Sequence, residues 1–125
     1  MTILGICGSL KRSSINTAVL CAAAAAAARD GVSIAVDESA RKLPHFDPAL
    51  EAEPPEAVLG SRARCEHAAA VLLSVPEYAF GIPGAFKNAL DWTVGSGSLY
   101  RKPMGVLNVA PPAAARTSAR RCVSS

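Results

Sequence analysis

The sequence holds no C-x-x-C pair and no Cys/His cluster at metal-ligand spacing; its four cysteines, Cys7, Cys21, Cys65 and Cys122, are scattered. That excludes a zinc ribbon and fits reduced thiols in a cytosolic protein. The two histidines, His45 and His67, have no partner at any motif spacing, so surface or structural roles are expected of them. Met1 is followed at once by Thr-Ile-Leu-Gly, without the basic and apolar regions of a secretory leader. The alanine tract closing the run Cys21–Ala28 is far too short to cross a bilayer. Nor is there a charge excess over most of the chain. Residues 1–115 carry ten Lys/Arg and ten Asp/Glu, and the formal net charge of +3 comes from Arg116, Arg120 and Arg121. A neutral body argues against nucleic acid as a partner. A soluble cytoplasmic protein with neither a membrane nor a nucleic-acid partner is expected.

What is present is enough apolar material for a core: half of the 125 residues are hydrophobic. Met1-Thr-Ile-Leu-Gly-Ile-Cys-Gly8 is a continuous apolar run, as expected of a strand buried on both faces. Ser13 or Ser14 can cap a helix running through Asn16 and the alanine tract, and Gly31 is a natural stop. Val32–Val36 reads as a second strand, residues 40–56 as an irregular stretch rich in proline and acid, and Glu56–His67 as a helix opened by Pro55. Ala68–Val75 reads as a third strand, and a helix follows from Pro83. Gly95-Ser-Gly-Ser98 is expected to be a flexible loop, and Pro103–Ala110 a fourth strand. Four strands alternating with three helices predict a doubly wound α/β sheet.

Two loops carry candidate chemistry. Gly8-Ser9-Leu10-Lys11-Arg12-Ser13-Ser14-Ile15-Asn16 joins the first strand to the first helix. It matches neither G-x-x-x-x-G-K-[ST] nor G-x-G-x-x-G. Two readings stay open for it. Its serines cap a helix and its basic pair is solvated, or Ser9, Ser14 and Asn16 with Lys11 or Arg12 cradle a phosphate at the helix head. The second loop, Pro76-Glu-Tyr-Ala-Phe-Gly-Ile-Pro-Gly84, is stiffened by its prolines and shaped by its glycines. Tyr78 and Phe80 could wall a flat aromatic ligand, and Glu77 adds polar atoms. Trp92, on the helix behind it, is expected to be a packing residue, and Cys7 a small core residue.

Gly8-Ser9-Leu10 with Ser14 and Asn16, Leu43-Pro44 with Phe46-Asp47, and Pro76-Glu77-Tyr78 with Ile82-Pro83-Gly84 recur in order, followed by Lys87-Asn88-Ala89, Asp91-Trp92 and Lys102-Pro103. From residue 3 to about 110 this pattern resembles the NADPH-dependent FMN reductases, flavodoxin-like flavoproteins related to azo-, quinone- and chromate-reducing enzymes. The resemblance implies a three-layer flavodoxin-like sheet with strands 2-1-3-4 in order and the fifth strand and last helix missing. It implies that Ser9, Lys11, Ser14, Ile15 and Asn16 surround the FMN phosphate. Lys11 stands where the family usually has Arg, and it lacks the bidentate fork, so Arg12 shares or takes over that role. Pro76, Glu77, Tyr78 and Ala79 would line the isoalloxazine, with Phe80 and Gly81 completing the loop. The expected activity moves a hydride from NADPH or NADH to FMN, and then electrons to a quinone, azo compound, metal oxyanion or free flavin. No metal and no dedicated acid or base is implied. A homodimer or homotetramer is, because a partner subunit usually completes the family's flavin pockets.

Past Ala110 the family pattern asks for another loop, helix, strand and helix, roughly 40 residues by ordinary element sizes. The sequence instead continues Pro111-Pro-Ala-Ala-Ala-Arg-Thr-Ser-Ala-Arg-Arg-Cys-Val-Ser-Ser125. Residues 1–110 are therefore expected to be an incomplete FMN-binding domain and 111–125 a basic, non-native or poorly ordered tail. The competing function is a non-catalytic remnant that binds flavin weakly or not at all. A flavodoxin-type electron carrier is disfavoured by the neutral body.

Overall fold

The computed structural model describes residues 1–8, 15–75 and 83–108. Four parallel strands, β1 (Thr2–Cys7), β2 (Ser33–Asp37), β3 (Ala70–Ser74) and β4 (Met104–Leu107), form one sheet in the order β2-β1-β3-β4. This is the expected order. Helix α1 (Ile15–Ala28) joins β1 to β2, α2 (Glu56–His67) precedes β3, and α3 (Gly84–Val94) joins β3 to β4.

Successive side chains of a strand point to opposite faces, and β1 and β3 use both. Leu4 of β1 packs in one cluster with Val71 and Leu73 of β3, Cys65 of α2 and Phe86 of α3. On the other face, the Thr17 hydroxyl of α1 donates to Cys7 Sγ at 3.3 Å, and Asn16 meets Ser74. The sheet is therefore wrapped on both faces, as continuous apolar strands require. Cys7 is buried, as expected of a core residue.

The alanine tract is helical and ends where a glycine permits it. Gly31 has φ 75°, its N–H bonds the Ala28 carbonyl at 3.1 Å, and the next N–H, of Val32, reaches back to Ala27 at 3.0 Å. This is a Schellman stop, which needs a left-handed residue at that position. Pro55 and Pro83 cap α2 and α3 from just outside rather than occupying their first turns.

The stretch between β2 and α2 contains two short 3-10 helices, Ser39–Lys42 and Pro48–Leu50, joined by a strap, residues 43–47. The Asn88 side chain of α3 grips this strap like a strand edge. Its Nδ2 donates to the Pro44 carbonyl at 2.8 Å, and its Oδ1 accepts from the Phe46 N–H at 2.6 Å. Trp92 Nε1 donates to the same Pro44 carbonyl at 2.8 Å, and its ring meets Phe46 edge-on at 5.0 Å. Trp92 is thus the packing residue the sequence predicts.

Gly95–Ser98 is not the flexible loop expected. Ser98 is buried, its hydroxyl donates to Glu66 at 3.1 Å, and Ser96 bonds the Thr93 carbonyl at 3.2 Å. Small hydroxyls close to a helix end find carbonyl and carboxylate acceptors there, and that holds the turn. Lys102 adds a second tie. Its ammonium donates to the carbonyls of Glu66 and Ala68, at 3.0 and 2.6 Å, at the carboxyl end of α2. β4 is an edge of the described sheet, and its Met104 and Val106 side chains are exposed. The expected tail, 111–125, lies outside the described residues.

Candidate functional site

Strand order decides where a ligand can sit. From β1 the chain runs outward to β2, whereas from β3 it runs the opposite way to β4, so the carboxyl ends of β1 and β3 flank the topological switch point, where sheets of this class hold their ligand crevice. The two strand ends are tied together: the Gly8 N–H donates to the Ser74 carbonyl at 3.0 Å. Glycine fits closely at this point. A Cβ on Gly8 would stand 3.2 Å from both Phe86 Cβ and Val75 Cγ2, so a side chain there would need one of these neighbours to shift by a few tenths of an ångström.

At the floor of the crevice lies a buried polar pair. Asn16, in the first turn of α1, is 2% exposed, and its Oδ1 accepts the Ser74 hydroxyl at 2.9 Å. Burying an amide and a hydroxyl costs free energy unless they bond, so this pair fixes the head of α1 against the end of β3. Ile15, one residue earlier, is 60% exposed. The first turn of α1 carries no acidic residue, and a helix head leaves its first N–H groups without intrahelical partners.

Of the expected cofactor-binding residues, Ile15 and Asn16 are brought together here. Ser9, Lys11, Arg12 and Ser14 of the first loop lie outside the described residues, as do Pro76, Glu77, Tyr78, Ala79, Phe80 and Gly81 of the second. The first runs from Gly8 to Ile15 and the second from Val75 to Pro83, each spanning a β end and a helix start at the switch point. Sequence reasoning missed Ser74. The signal was available: a lone hydroxyl closing the apolar run Ala70-Val-Leu-Leu is a polar group placed where an open α/β sheet binds ligands.

What this floor can do follows from its charge. An acid-free helix head beside a neutral, fully bonded amide suits an anion such as a phosphate ester. The donor set therefore fits the phosphate end of a flavin nucleotide. Nearby titratable groups are held quiet. Burial raises the Asp37 carboxyl, but hydrogen bonds from Ser39 and Arg64 outweigh it and hold the group below the ordinary carboxylate range. Burial, reinforced by the Asp37 charge, pushes the Cys65 thiol up, so it stays protonated. Both histidines are exposed, and His67 Nδ1 lies 2.7 Å from the Ala63 carbonyl of its own helix. Among the described residues no helix is long and apolar enough to cross a membrane.

The sequence model of the NADPH-dependent FMN reductases matches residues 1–121. An NAD(P)H-dependent FMN reductase of Pseudomonas aeruginosa is 38% identical over 91 residues, which is 72% of this chain and 48% of the relative. A quinone reductase of Pseudomonas putida is 33% identical over 112 residues, 86% of this chain and 59% of the relative. The solved structure of FerB, a flavoenzyme NAD(P)H:(acceptor) oxidoreductase from Paracoccus denitrificans, superimposes with a TM-score of 0.79 at 32% identity. The match covers 98% of this chain and 68% of that one. The chain spans about half the length of the curated relatives it matches.

Proposed function

Because the chain belongs to the NADPH-dependent FMN reductase family, we propose that it holds FMN across the carboxyl ends of β1 and β3 and passes electrons from NAD(P)H to a small-molecule acceptor. The observation that carries this reading is the buried Asn16–Ser74 pair beneath an acid-free helix head, at the switch point of the sheet. FMN, when bound, supplies the hydride chemistry, since its ring accepts two electrons from a nicotinamide and delivers them onward. The protein's share is placement.

In this reading Ser9, Ser14 and the head of α1 bind the phosphate with Lys11 and Arg12 as counter-charges, and Asn16 and Ile15 shape the floor and the mouth. Pro76, Glu77, Tyr78, Ala79, Phe80 and Gly81 form the wall against the ring. Asn88 and Trp92 hold α3, whose Pro83 cap terminates that wall, against the strap. The acceptor is a quinone, as the names of several relatives that are 32–34% identical suggest. The enzyme works as a homodimer or homotetramer in the cytoplasm. Exposed Val94, Tyr100, Met104 and Val106 support a second copy, and three free cysteines among the described residues support a reducing compartment.

The test is direct. Purified chain titrated with FMN should bind it and take on flavin colour, and with FMN, NADPH and a benzoquinone it should consume NADPH. Colourless protein with no NADPH turnover would overturn the reading.

A further inference from the structure

Among the described residues β4 is an outer strand, paired with β3 along one edge only. Its bonds to β3 fix which way its backbone faces. The Val71 N–H donates to the Pro103 carbonyl at 2.9 Å, and the Val75 N–H donates to the Leu107 carbonyl at 3.2 Å. Backbone groups alternate along a strand, so Met104 and Val106 turn their N–H and C=O groups away from β3. Their side chains are in register with Val71 and Leu73, on the face that Phe86 of α3 covers farther in. Even so, Met104 is 46% and Val106 65% exposed. Val94, the last residue of α3, and Tyr100, on the turn that leads into β4, are more exposed still. The strand Met-Gly-Val-Leu carries neither a charge nor a proline, two devices that keep a sheet edge from pairing. The opposite outer strand, β2, ends in the charged Asp37.

We propose that this edge pairs with the same edge of a second copy, antiparallel across a two-fold axis at Gly105, so that two sheets become one. The proposal rests on the homo-oligomer reading above and names the surface that carries it. An axis at Gly105 sets Met104 opposite the partner subunit's Val106, and Val106 opposite the partner subunit's Met104. These are the residues whose polar groups point outward, so each opposed pair exchanges both of its N–H···O=C bonds. The axis runs along the sheet normal, so the four side chains meet on one face as cross-strand neighbours. Arg101, just before β4, then stands at the opposite end of the ribbon from its counterpart in the other copy, and like charges are not brought together. With Val94 and Tyr100, the exposed side chains and strand backbone offer roughly 500 Å² per copy, on the order of 1,000 Å² in all, the lower bound of a specific interface. The dimer is therefore reversible, in the micromolar range. A self-complementary contact uses both free β4 edges at once and closes at two copies.

Sedimentation of the full chain across the micromolar range, with amide exchange on the same samples, is the test. Wild type should show a reversible monomer–dimer equilibrium, and the Met104 and Val106 amides should exchange more slowly as concentration rises. Val106→Lys sets a cation against the partner subunit's Met104, and Val106→Pro removes only the outward N–H that β3 does not use. Each should weaken dimerisation by about tenfold or more, because every substitution enters a two-fold contact twice. Val106 is largely exposed, so Val106→Lys keeps the fold and carries the test alone if Val106→Pro does not. Leu59→Lys, a comparable change at an exposed position of α2, should leave the equilibrium unchanged. A dimer indifferent to both Val106 variants would sink the β4 contact and leave the homo-oligomer reading standing. So would a dimer in which protection of the two amides does not vary with concentration. A chain that stays monomeric throughout would sink both.

Discussion

Arg62 of α2 and Trp92 of α3 are joined twice: the guanidinium Nε donates to the Trp92 carbonyl at 2.8 Å, and its carbon lies 5.8 Å from the centre of the indole ring. The other side of the same guanidinium holds Glu51 through Nη2, at 2.9 and 3.1 Å to the two carboxylate oxygens. Arg62 is 8% exposed, so a substitution strands these groups in a poorly solvated place.

Arg62→Met should therefore lower unfolding stability by about 2 kcal/mol, discounted because the Glu51 side chain keeps about a third of its exposure. Arg62→Lys should recover little, since an ammonium lacks the planar fork that reaches the carbonyl and the carboxylate together. Urea denaturation of the two variants measures both. A loss equal to that of an exposed arginine such as Arg29 would show that the contacts contribute nothing.

Asn88→Ala should release the strap without melting the sheet. It removes the acceptor of the Phe46 N–H and one of two donors to Pro44, while Trp92 Nε1 keeps the other. The expected cost is about 1–2 kcal/mol, with faster amide exchange at Phe46 as its local signature. Asn88→Asp keeps the acceptor for Phe46 but turns a carboxylate toward the Pro44 carbonyl, and should be no better than alanine. Unchanged exchange at Phe46 in both variants would contradict the clamp.

Stability should fall in acid in a way traceable to Asp37. Its folded pKa lies below the ordinary value of 3.8, so its contribution is complete above that pH and is lost as the pH drops through the lower, folded value. Asp37→Asn should flatten this acid limb and leave stability near neutrality lower. Because Arg64 is largely exposed, added salt should shrink the effect. Thermal melts between neutral and strongly acidic pH, at two salt concentrations, read it out.

Ser74→Ala and Asn16→Ala test the crevice floor. Ser74→Ala deletes the hydroxyl that Asn16 Oδ1 accepts, and Asn16→Ala deletes the amide itself. Each should weaken FMN binding about tenfold, and Asn16→Ala should also destabilise the head of α1. FMN affinity equal to wild type in both would remove the pair from the site.

Much of the architecture was legible before any coordinates, because it rests on local signals. Ile3–Cys7 and Ala70–Leu73 are apolar without alternation, as strands covered on both faces are, and Gly31 marks a left-handed stop. The strap was not legible. Asn88 meets Pro44 and Phe46 across 44 and 42 residues, and neither periodicity nor turn chemistry encodes a side chain that imitates a strand edge at that range. Gly95–Ser98 misled for a related reason. Its composition suits a linker, but Glu66, brought near by α2, captures Ser98. Ile15 and Asn16 stand out as candidates in the sequence because they follow the β1 end closely. Ser74 escaped because a serine in an apolar run carries no spacing motif.

The bonds from Glu51 through Arg62, Trp92, Pro44 and Asn88 to Phe46 form one unbroken chain across the turn after Leu50, helices α2 and α3, and the strap. Such a chain couples these parts to one another, and they should exchange amide protons as one cooperative unit. Asn88 is little more than one turn past Pro83, where the second candidate loop ends. The described residue that closes that loop is therefore tied, through Asn88, to the same bonded chain as Arg62 and Glu51.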